Sequence, residues 1–473
     1  MKKLAPIVFS LMLFSSTSFA APVPLRGIVE GFYGETWNFE TRTDMMNFCR
    51  NHNLNAYIYA PKDDPYHRDK WRVPYPTEKM HELKNLVAIA KQNGVRFIFA
   101  ISPGKDLHYS GNEGNEDFKL LLRKIDAVYN IGVRNFAIFF DDLKDKNGKH
   151  HEDGKKQAEF LNKLQAKLTE RFKDVENLIT VPTEYYRFDM LNGHGKIKDY
   201  TEDFSKNLNK KIIVLYTGNG VVCDGITDED FQAANKIYGR DLGIWWNYPV
   251  NDYPMNPKGN RNAKLALGAV EKLPTSNVPA IFFNPMGQAL MSKIALATGA
   301  DYANAPNNYN AENSWNHAID IQYGRVADAM KIFASHSRHM ENSWAKCGAE
   351  DSPEFEAAAH NVISSARAGR TLLSADELLR QIDNMEKAAD ILLENLSAPY
   401  LKECKPQLEQ FKRIAQADRL ALQSLQNKKL DPKLKSLREE IAKNEPSAIL
   451  SEKVAVKFID DTINLLDVKK KKR

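Results

Sequence analysis

The sequence predicts an α/β fold, a (β/α)8 TIM-type barrel followed by an all-α helical bundle domain. Short apolar runs of strand type recur eight times before about residue 290, with segments of helical periodicity between most of them. Eight strands alternating with helices over about 280 residues have the size and rhythm of such a barrel. Beyond about residue 310 the strand signals end and long amphipathic segments begin.

The eight predicted strands are apolar on both faces, as is typical of parallel strands covered by helices. They lie at residues 25–29, 56–59, 96–101, 135–140, 178–181, 212–216, 242–246 and 280–283. Helices between them are predicted at 77–93, 117–131 and 151–171, among others. We assign residues 24–305 to the barrel.

The helical domain is predicted to span residues 310–468. Its helices are expected at 354–367, 375–395, 405–427, 433–443 and 450–468. Ser374 and Glu377 have the spacing of a capping box at the start of one helix. Pro432 stands where the first turn of another would begin.

The first twenty residues predict a signal peptide. Lys2 and Lys3 precede an apolar stretch, and the segment ending at Ala20 has the small-x-small pattern of a cleavage site. No later run of about 18 apolar residues follows, so we expect no membrane span. The expected localisation is export, to the periplasm or the external medium.

The net charge of +5 is unevenly distributed. Without Lys2 and Lys3 it is +3, and the basic tail at residues 469–473 carries five positive charges, which leaves the body near −2. This balance does not favour a nucleic-acid partner. Two interpretations of the tail remain open, a solubilising end and a contact with an acidic surface.

The four cysteines have no metal-site spacing, so no metal is predicted. They are Cys49, Cys223, Cys347 and Cys404. In an exported protein, Cys347 with Cys404 is the first candidate for a disulfide, because both fall in the C-terminal region.

Two adjacent acids, Asp141 and Asp142, end the fourth predicted strand, where a barrel of this kind keeps its active site. Adjacent carboxyl groups tend to hold their pKa values apart, because ionising one disfavours ionising the other. One charged and one protonated acid are the two roles that glycosidic bond cleavage needs. A helix cap or a metal ligand gives the same local pattern.

Polar and aromatic residues follow other predicted strands as well. Candidate site residues are Gly31 and Tyr33 after the first strand, Lys62 after the second, Tyr185 after the fifth, Trp245, Asn247 and Asp252 at the seventh, and Asn284 after the eighth. Amides and acids bind hydroxyl groups, and flat aromatic rings match the C–H faces of a pyranose. These clusters predict a sugar-binding pocket.

The loop after the second strand also carries Asp63, Asp64 and His67. We expect these side chains to brace the loop with Arg68 or Arg72. Metal binding by the three is the alternative, although their spacing matches no known ligand pattern.

Between about Gly27 and Lys293, these motifs in this order resemble glycoside hydrolase family 84, the β-N-acetylglucosaminidases that include O-GlcNAcases and enzymes called hyaluronidases. The resemblance implies that Asp141 orients and polarises the 2-acetamido group of the substrate, and that Asp142 is the general acid/base. It also implies sugar contacts, with the acetamido group at Tyr185, the outer hydroxyls at Asp252, and further contacts at Gly31, Tyr33, Lys62, Trp245, Asn247 and Asn284.

Three positions depart from the family pattern. Trp246 and Gln288 stand where many members carry an acid, and Val181 stands where several carry a cysteine. None of these departures removes a catalytic group, so any difference is expected in the shape of the pocket beyond the sugar.

The implied function is an exported retaining exo-β-N-acetylglucosaminidase, in which the acetamido oxygen of the substrate attacks the anomeric carbon and forms an oxazoline. The implied substrate is a carbohydrate or glycoprotein with terminal β-linked GlcNAc, including O-GlcNAc on Ser or Thr, and no cofactor is implied. Two alternatives remain, an endo-acting hyaluronidase-like enzyme and a non-catalytic carbohydrate-binding protein. Because adjacent strand residues face opposite sides, both acids reach one substrate only if the strand ends near Phe140 and the chain turns.

Overall fold

The computed structural model describes residues 21–143, 153–255, 260–275 and 277–471. The predicted signal peptide therefore lies outside the described residues, as do Lys472 and Arg473 of the predicted tail. No helix in these ranges is both long and apolar enough to cross a membrane.

Eight parallel strands close into a barrel in sequence order, with β1 pairing both β2 and β8. They are β1 Leu25–Glu30, β2 Ala56–Tyr59, β3 Arg96–Ile101, β4 Asn135–Phe139, β5 Ile179–Val181, β6 Ile213–Tyr216, β7 Gly243–Trp246 and β8 Ala280–Phe283. Most strand residues are buried on both faces, because the barrel interior covers one side and the helices cover the other. The predicted barrel is confirmed.

The helices around the barrel have apolar faces that pack against the strands. They are α1 Phe39–Asn51, α2 Thr77–Gln92, α3 Gly111–Asn130, α4 Gly154–Arg171, α5 Arg187–Met190, α6 Asp199–Asn207, α7 Asp228–Tyr238 and α8 Ala289–Asn304. The described residues between β7 and β8 contain no helix.

The C-terminal region is helical, as predicted. Its helices are α9 Ala311–Tyr323, α10 Ala327–Ser335, α11 Pro353–Arg367, α12 Ala375–Asn395, α13 Ala398–Gln426, α14 Pro432–Asn444 and α15 Ala455–Lys471. The expected absence of strands is wrong in one place, where β9 Met340–Glu341 and β10 Lys346–Cys347 form a small antiparallel hairpin.

Of the two predicted helix starts, one is confirmed and one is wrong. Pro432 opens α14, and the Asp431 side chain accepts from the Lys433 N–H as its cap. Ser374, however, has a left-handed backbone with φ of +61° and makes no capping bond to α12. Its hydroxyl accepts from the Asn361 side chain instead, so the predicted capping box does not form.

The candidate disulfide between Cys347 and Cys404, which the sequence left undecided, does not form, since all four cysteines are free. Cys347 lies in β10, with its sulfur 3.9 Å from the Tyr253 hydroxyl. Cys404 lies in α13 and donates to the Tyr400 carbonyl. Membership of the same region of the sequence did not bring the two thiols together.

Polar contacts join the helical region to the barrel. The buried Lys264 ammonium, on the loop after β7, pairs with Asp351 and Glu452. Glu403 of α13 accepts from the Met291 N–H at the start of α8, and burial raises the pKa of this carboxyl to about 7. These contacts connect the helical region to the loop after β7 and to the start of α8.

Candidate active site

One cavity of about 490 Å³ opens at the carboxyl ends of the barrel strands. All ten residues singled out from the sequence line it: Gly31, Tyr33, Lys62, Asp141, Asp142, Tyr185, Trp245, Asn247, Asp252 and Asn284. The parallel strands bring these side chains together because their carboxyl ends meet at one face of the barrel.

The two adjacent acids reach the same cavity because the chain turns directly after β4. The strand ends at Phe139, and the Phe140 N–H still bonds to the Val181 carbonyl at 2.8 Å. Asp142 then adopts a left-handed backbone with φ of +57°. This turn breaks the alternation of a strand, which would have pointed the two carboxyl groups to opposite sides.

Asp141 is buried and paired with a cation. Its Oδ2 accepts from the Lys62 ammonium, and its Oδ1 has no hydrogen-bond partner within the described part of the chain. Burial alone would raise the pKa of Asp141, but Lys62 and Arg68 together hold it below its ordinary value. Asp141 is therefore a carboxylate with one buried oxygen that remains without a hydrogen-bond partner among these residues.

Asp142 has different partners, because two phenol groups donate to its carboxyl group. The Tyr33 hydroxyl lies 2.6 Å from Oδ2, and the Tyr185 hydroxyl lies 2.9 Å from Oδ1. Burial and the charge of Asp142 raise the pKa of both tyrosines, so each phenol keeps its hydrogen. One acid thus faces an ammonium and the other faces two neutral donors.

Hydrogen bonds connect the side-chain amides of another part of the cavity wall. The Asn247 Oδ1 accepts from the Trp245 Nε1 at 2.8 Å and from the Asn284 Nδ2 at 2.9 Å. The Asn284 Oδ1 accepts from the Gly31 N–H at 3.3 Å. These bonds fix the amide groups in place before any ligand arrives.

Asp252 closes one side of the cavity. Its Oδ2 accepts from the Tyr33 N–H at 2.7 Å, which links the β7 loop to the β1 loop. Burial raises the pKa of Asp252, although this bond and the nearby Arg261 oppose the rise.

Gly31 leaves room for an aromatic wall. A Cβ at this position would lie 2.3 Å from Cζ2 of Trp245, well inside contact distance. The glycine is therefore required by the close approach of the indole ring.

Sequence reasoning missed part of the rim. Thr217, Val221, Val222, Val250, Tyr253, Arg261 and Trp344 also line the cavity. Trp344 lies in the β9–β10 hairpin of the C-terminal region, 54% exposed, with its ring centroid 5.1 Å from that of Tyr253. No strand-end pattern could indicate a residue that reaches the barrel from a distant segment.

Of the three departures from the family pattern, only Val181 lines the cavity. Trp246 points outward into the core between barrel and helices. Gln288 bonds to the Asn251 side chain and the Asn262 carbonyl beside a neighbouring polar cavity of about 310 Å³. The last two departures therefore leave the wall of the main cavity unchanged.

The loop after β2 is braced, but not as expected. Asp64 accepts from the hydroxyls of Tyr59 and Tyr75 rather than from an arginine. His67 bonds to the Ala100 carbonyl. Across the described ranges, no group of three or more His, Cys, Asp or Glu side chains could hold a metal ion.

A family described as beta-N-acetylglucosaminidase matches residues 26–335, well over half of the chain. The chain belongs to this family, glycoside hydrolase family 84. A second family, described as hyaluronidase post-catalytic domain-like, matches residues 354–459. The glycoside hydrolase match includes all ten predicted site residues and every residue of the barrel strands except Leu25.

Curated relatives of this family 84 chain include the Protein O-GlcNAcase of Rattus norvegicus and that of Mus musculus, each 31% identical over 287 residues. The aligned part is 59% of this chain and 30% of each relative, so the chain matches less than a third of their length.

Solved structures of similar fold include CpGH84B, with a TM-score of 0.83 and 36% identity over 93% of this chain and 77% of that one. A mutant of the Thermobaculum terrenum O-GlcNAc hydrolase has a TM-score of 0.81 and 28% identity, over 94% of this chain and 96% of that one. Both structures cover the barrel together with most of the helical region.

Proposed function

We propose that the protein is a retaining exo-β-N-acetylglucosaminidase that uses the acetamido group of its substrate as the nucleophile. The observation that carries this proposal is the unlike environment of two adjacent acids in one cavity. Asp141 is paired with Lys62, and Asp142 is held by Tyr33 and Tyr185. Family membership supports the same reaction class.

Asp141 has the properties needed to assist the acetamido group. As a carboxylate, it would accept the acetamido N–H and stabilise the positive charge that develops as the carbonyl oxygen attacks the anomeric carbon. Nearby, the Tyr185 hydroxyl would help to position the acetamido group. The product of this step is an oxazoline, which places the scheme outside the usual pair of a nucleophile and an acid.

Asp142 would serve as the general acid/base. In the first step it gives a proton to the departing oxygen, and in the second it takes one from the water that opens the oxazoline. Tyr33 and Tyr185 hold its two oxygens in place through both steps, because a phenol can donate to a carboxylate or accept from a carboxylic acid.

Asp252 supports cleavage at a chain end. Its carboxyl group lines the same cavity as Asn247 and Asn284 and accepts from the Tyr33 N–H of the β1 loop. A carboxyl group in this position would bind the outer hydroxyls of a terminal sugar and leave no path for a continuing chain. An endo-acting, hyaluronidase-like reaction needs such a path.

The proposed substrate is a glycoprotein or glycan with terminal β-linked GlcNAc. The names of the rat, mouse and Thermobaculum terrenum relatives support O-GlcNAc on protein as one such substrate. The two lysines at positions 2 and 3 and the apolar stretch that follows them before Ala20 support export. For the basic tail, a contact with an acidic surface remains part of the proposal.

Hydrolysis of paired glycosides tests the reaction. The full mature chain is assayed with an aryl β-N-acetylglucosaminide, the matching aryl β-glucoside and an O-GlcNAc-bearing protein, with Asp142→Ala as the control. We expect cleavage of the first and third and at least hundredfold slower cleavage of the glucoside, which lacks the acetamido nucleophile. Equal cleavage of both aryl substrates would contradict the mechanism.

A further inference from the structure

The Arg68 side chain lies behind the turn that carries the two acids. It is 5% exposed and is not part of the cavity wall. Its Nη1 donates to the Tyr33 hydroxyl at 2.8 Å, and its Nη2 faces the carbonyl oxygens of Asp141 and Asp142 at 3.3 and 3.5 Å. One guanidinium group thus contacts the backbone of both acids and a tyrosine that donates to one of them.

We propose that Arg68 is a positioning residue, which holds the turn at Asp142 and orients the Tyr33 hydroxyl toward the Asp142 carboxyl without touching the sugar. The inference rests on the proposed function, because it concerns how the same two acids are presented to the substrate.

The hydrogen-bonding capacity of Tyr33 supports this role. A phenol oxygen has one hydrogen and two lone pairs, whereas a guanidinium group can only donate. Arg68 occupies one lone pair, so the hydroxyl hydrogen is available to Asp142 when that carboxyl is ionised. When Asp142 is protonated, the second lone pair can accept from it. Arg68 therefore keeps the phenol oxygen in place while the acid gains and loses its proton.

The backbone of the turn supports the same role. A non-glycine residue in the left-handed region is strained and persists where neighbouring groups hold it. The carbonyl groups of Asp141 and Asp142 face the Arg68 guanidinium, which supplies that hold. Its positive charge also acts on Asp141, where burial, which raises the pKa, is opposed first by Lys62 and then by Arg68.

The alternative is that Arg68 only stabilises the loop after β2, and Arg72 provides a matched control for it. Arg72 belongs to the same loop, and its guanidinium binds the carboxylates of Asp106 and Asp117. None of its hydrogen bonds involves Tyr33, Asp141 or Asp142. Loss of Arg72 therefore perturbs the loop after β2 and leaves the contacts of the turn at Asp142 intact.

The test compares Arg68→Lys, Arg68→Met and Arg72→Met in the full mature chain, with kcat and KM measured for an aryl and a methyl β-N-acetylglucosaminide over a range of pH. We expect Arg68→Met to lower kcat at least thirtyfold and to change KM less than threefold. The loss of kcat should be larger for the methyl glycoside than for the aryl one. The acid limb of the kcat–pH profile of this variant should move to higher pH. Arg68→Lys keeps the positive charge but loses the planar pair of guanidinium donors. Its kcat should therefore fall, while the acid limb of its pH profile stays at the wild-type position.

A double-mutant cycle with Tyr33→Phe tests the link to the phenol. If Arg68 acts through Tyr33, the Arg68→Lys, Tyr33→Phe double variant should lose at most threefold more than the worse single variant. Should Arg68→Met fail to fold, Arg68→Lys and this cycle carry the test.

Arg68 variants no slower than Arg72→Met would overturn the positioning role, and losses that multiply in the cycle would overturn its action through Tyr33. A wild-type protein without activity on either glycoside would instead refute the proposed function. An active wild type with unaffected Arg68 variants would refute this inference alone.

Discussion

The Lys62 ammonium is paired with the Asp141 carboxylate in the mouth of the barrel, where the two side chains are 3% and 9% exposed. A buried pair of this kind is costly to break, because the remaining charge loses its compensation. Burial raises the pKa of Asp141, and this contact is the largest influence that lowers it, while the second carboxylate oxygen is buried without a hydrogen-bond partner among the described residues.

Lys62→Met should therefore move the acid limb of kcat/KM to higher pH. Burial raises the pKa of Asp141, and Lys62 lowers it more than Arg68 does. Without Lys62 the pKa of Asp141 should therefore rise. Since Asp141 acts as a carboxylate in the proposed mechanism, the loss is expected to be larger at pH 5 than at pH 8. The measurement is a pH profile with an aryl substrate, with Lys105→Met, which removes an exposed pair with Asp69, as control. A uniform loss with an unchanged acid limb would contradict the assignment.

Asp142→Ala and Asp141→Asn should separate by leaving group. A poor leaving group needs the proton from Asp142, so Asp142→Ala is expected to lower kcat/KM by about 10²–10⁴ for an alkyl glycoside and much less for an activated aryl one. Asp141→Asn should impair both substrates, because it removes the charge that we propose stabilises oxazoline formation. Equal losses on all leaving groups in Asp142→Ala would contradict the division of roles.

The barrel could be predicted because its strands are buried on both faces, which gives continuous apolar runs. The bounds of Ala56–Tyr59, Arg96–Ile101 and Ala280–Phe283 match to the residue. The strand ends then gather the site residues in one place. Trp344 and Arg68 could not be assigned in this way, because tertiary packing, rather than a local pattern, brings them to the site. The candidate disulfide between Cys347 and Cys404 could not be decided for the same reason, because the positions of two cysteines in the sequence do not give the distance between them in the fold.

Gly31→Ala should damage the pocket rather than the fold as a whole. The added Cβ would meet the Trp245 ring at 2.3 Å, and overpacking of this kind costs about 1–3 kcal/mol. Displacement of the indole ring would also disturb its bond to Asn247, so we expect kcat/KM to fall about tenfold or more. Steady-state kinetics and thermal unfolding check this, with Gly193→Ala as control because its Cβ would meet nothing within 4 Å. Equal activity in the two variants would rule out the steric argument.

Asp418→Asn should stabilise the helical region at neutral and alkaline pH. Asp418 of α13 is fully buried, and neither carboxyl oxygen has a hydrogen-bond partner among the described residues. Burial raises its pKa well above the ordinary value, so the folded state binds a proton that the unfolded state releases above about pH 4. Stability therefore falls as pH rises toward the folded-state pKa, and the amide removes this dependence. Thermal unfolding at pH 5 and pH 8 should give a larger gain in Tm at pH 8, whereas Glu394→Gln on the exposed face of α12 should give no such difference. An equal gain in Tm at both pH values would mean that ionisation of Asp418 does not destabilise the protein.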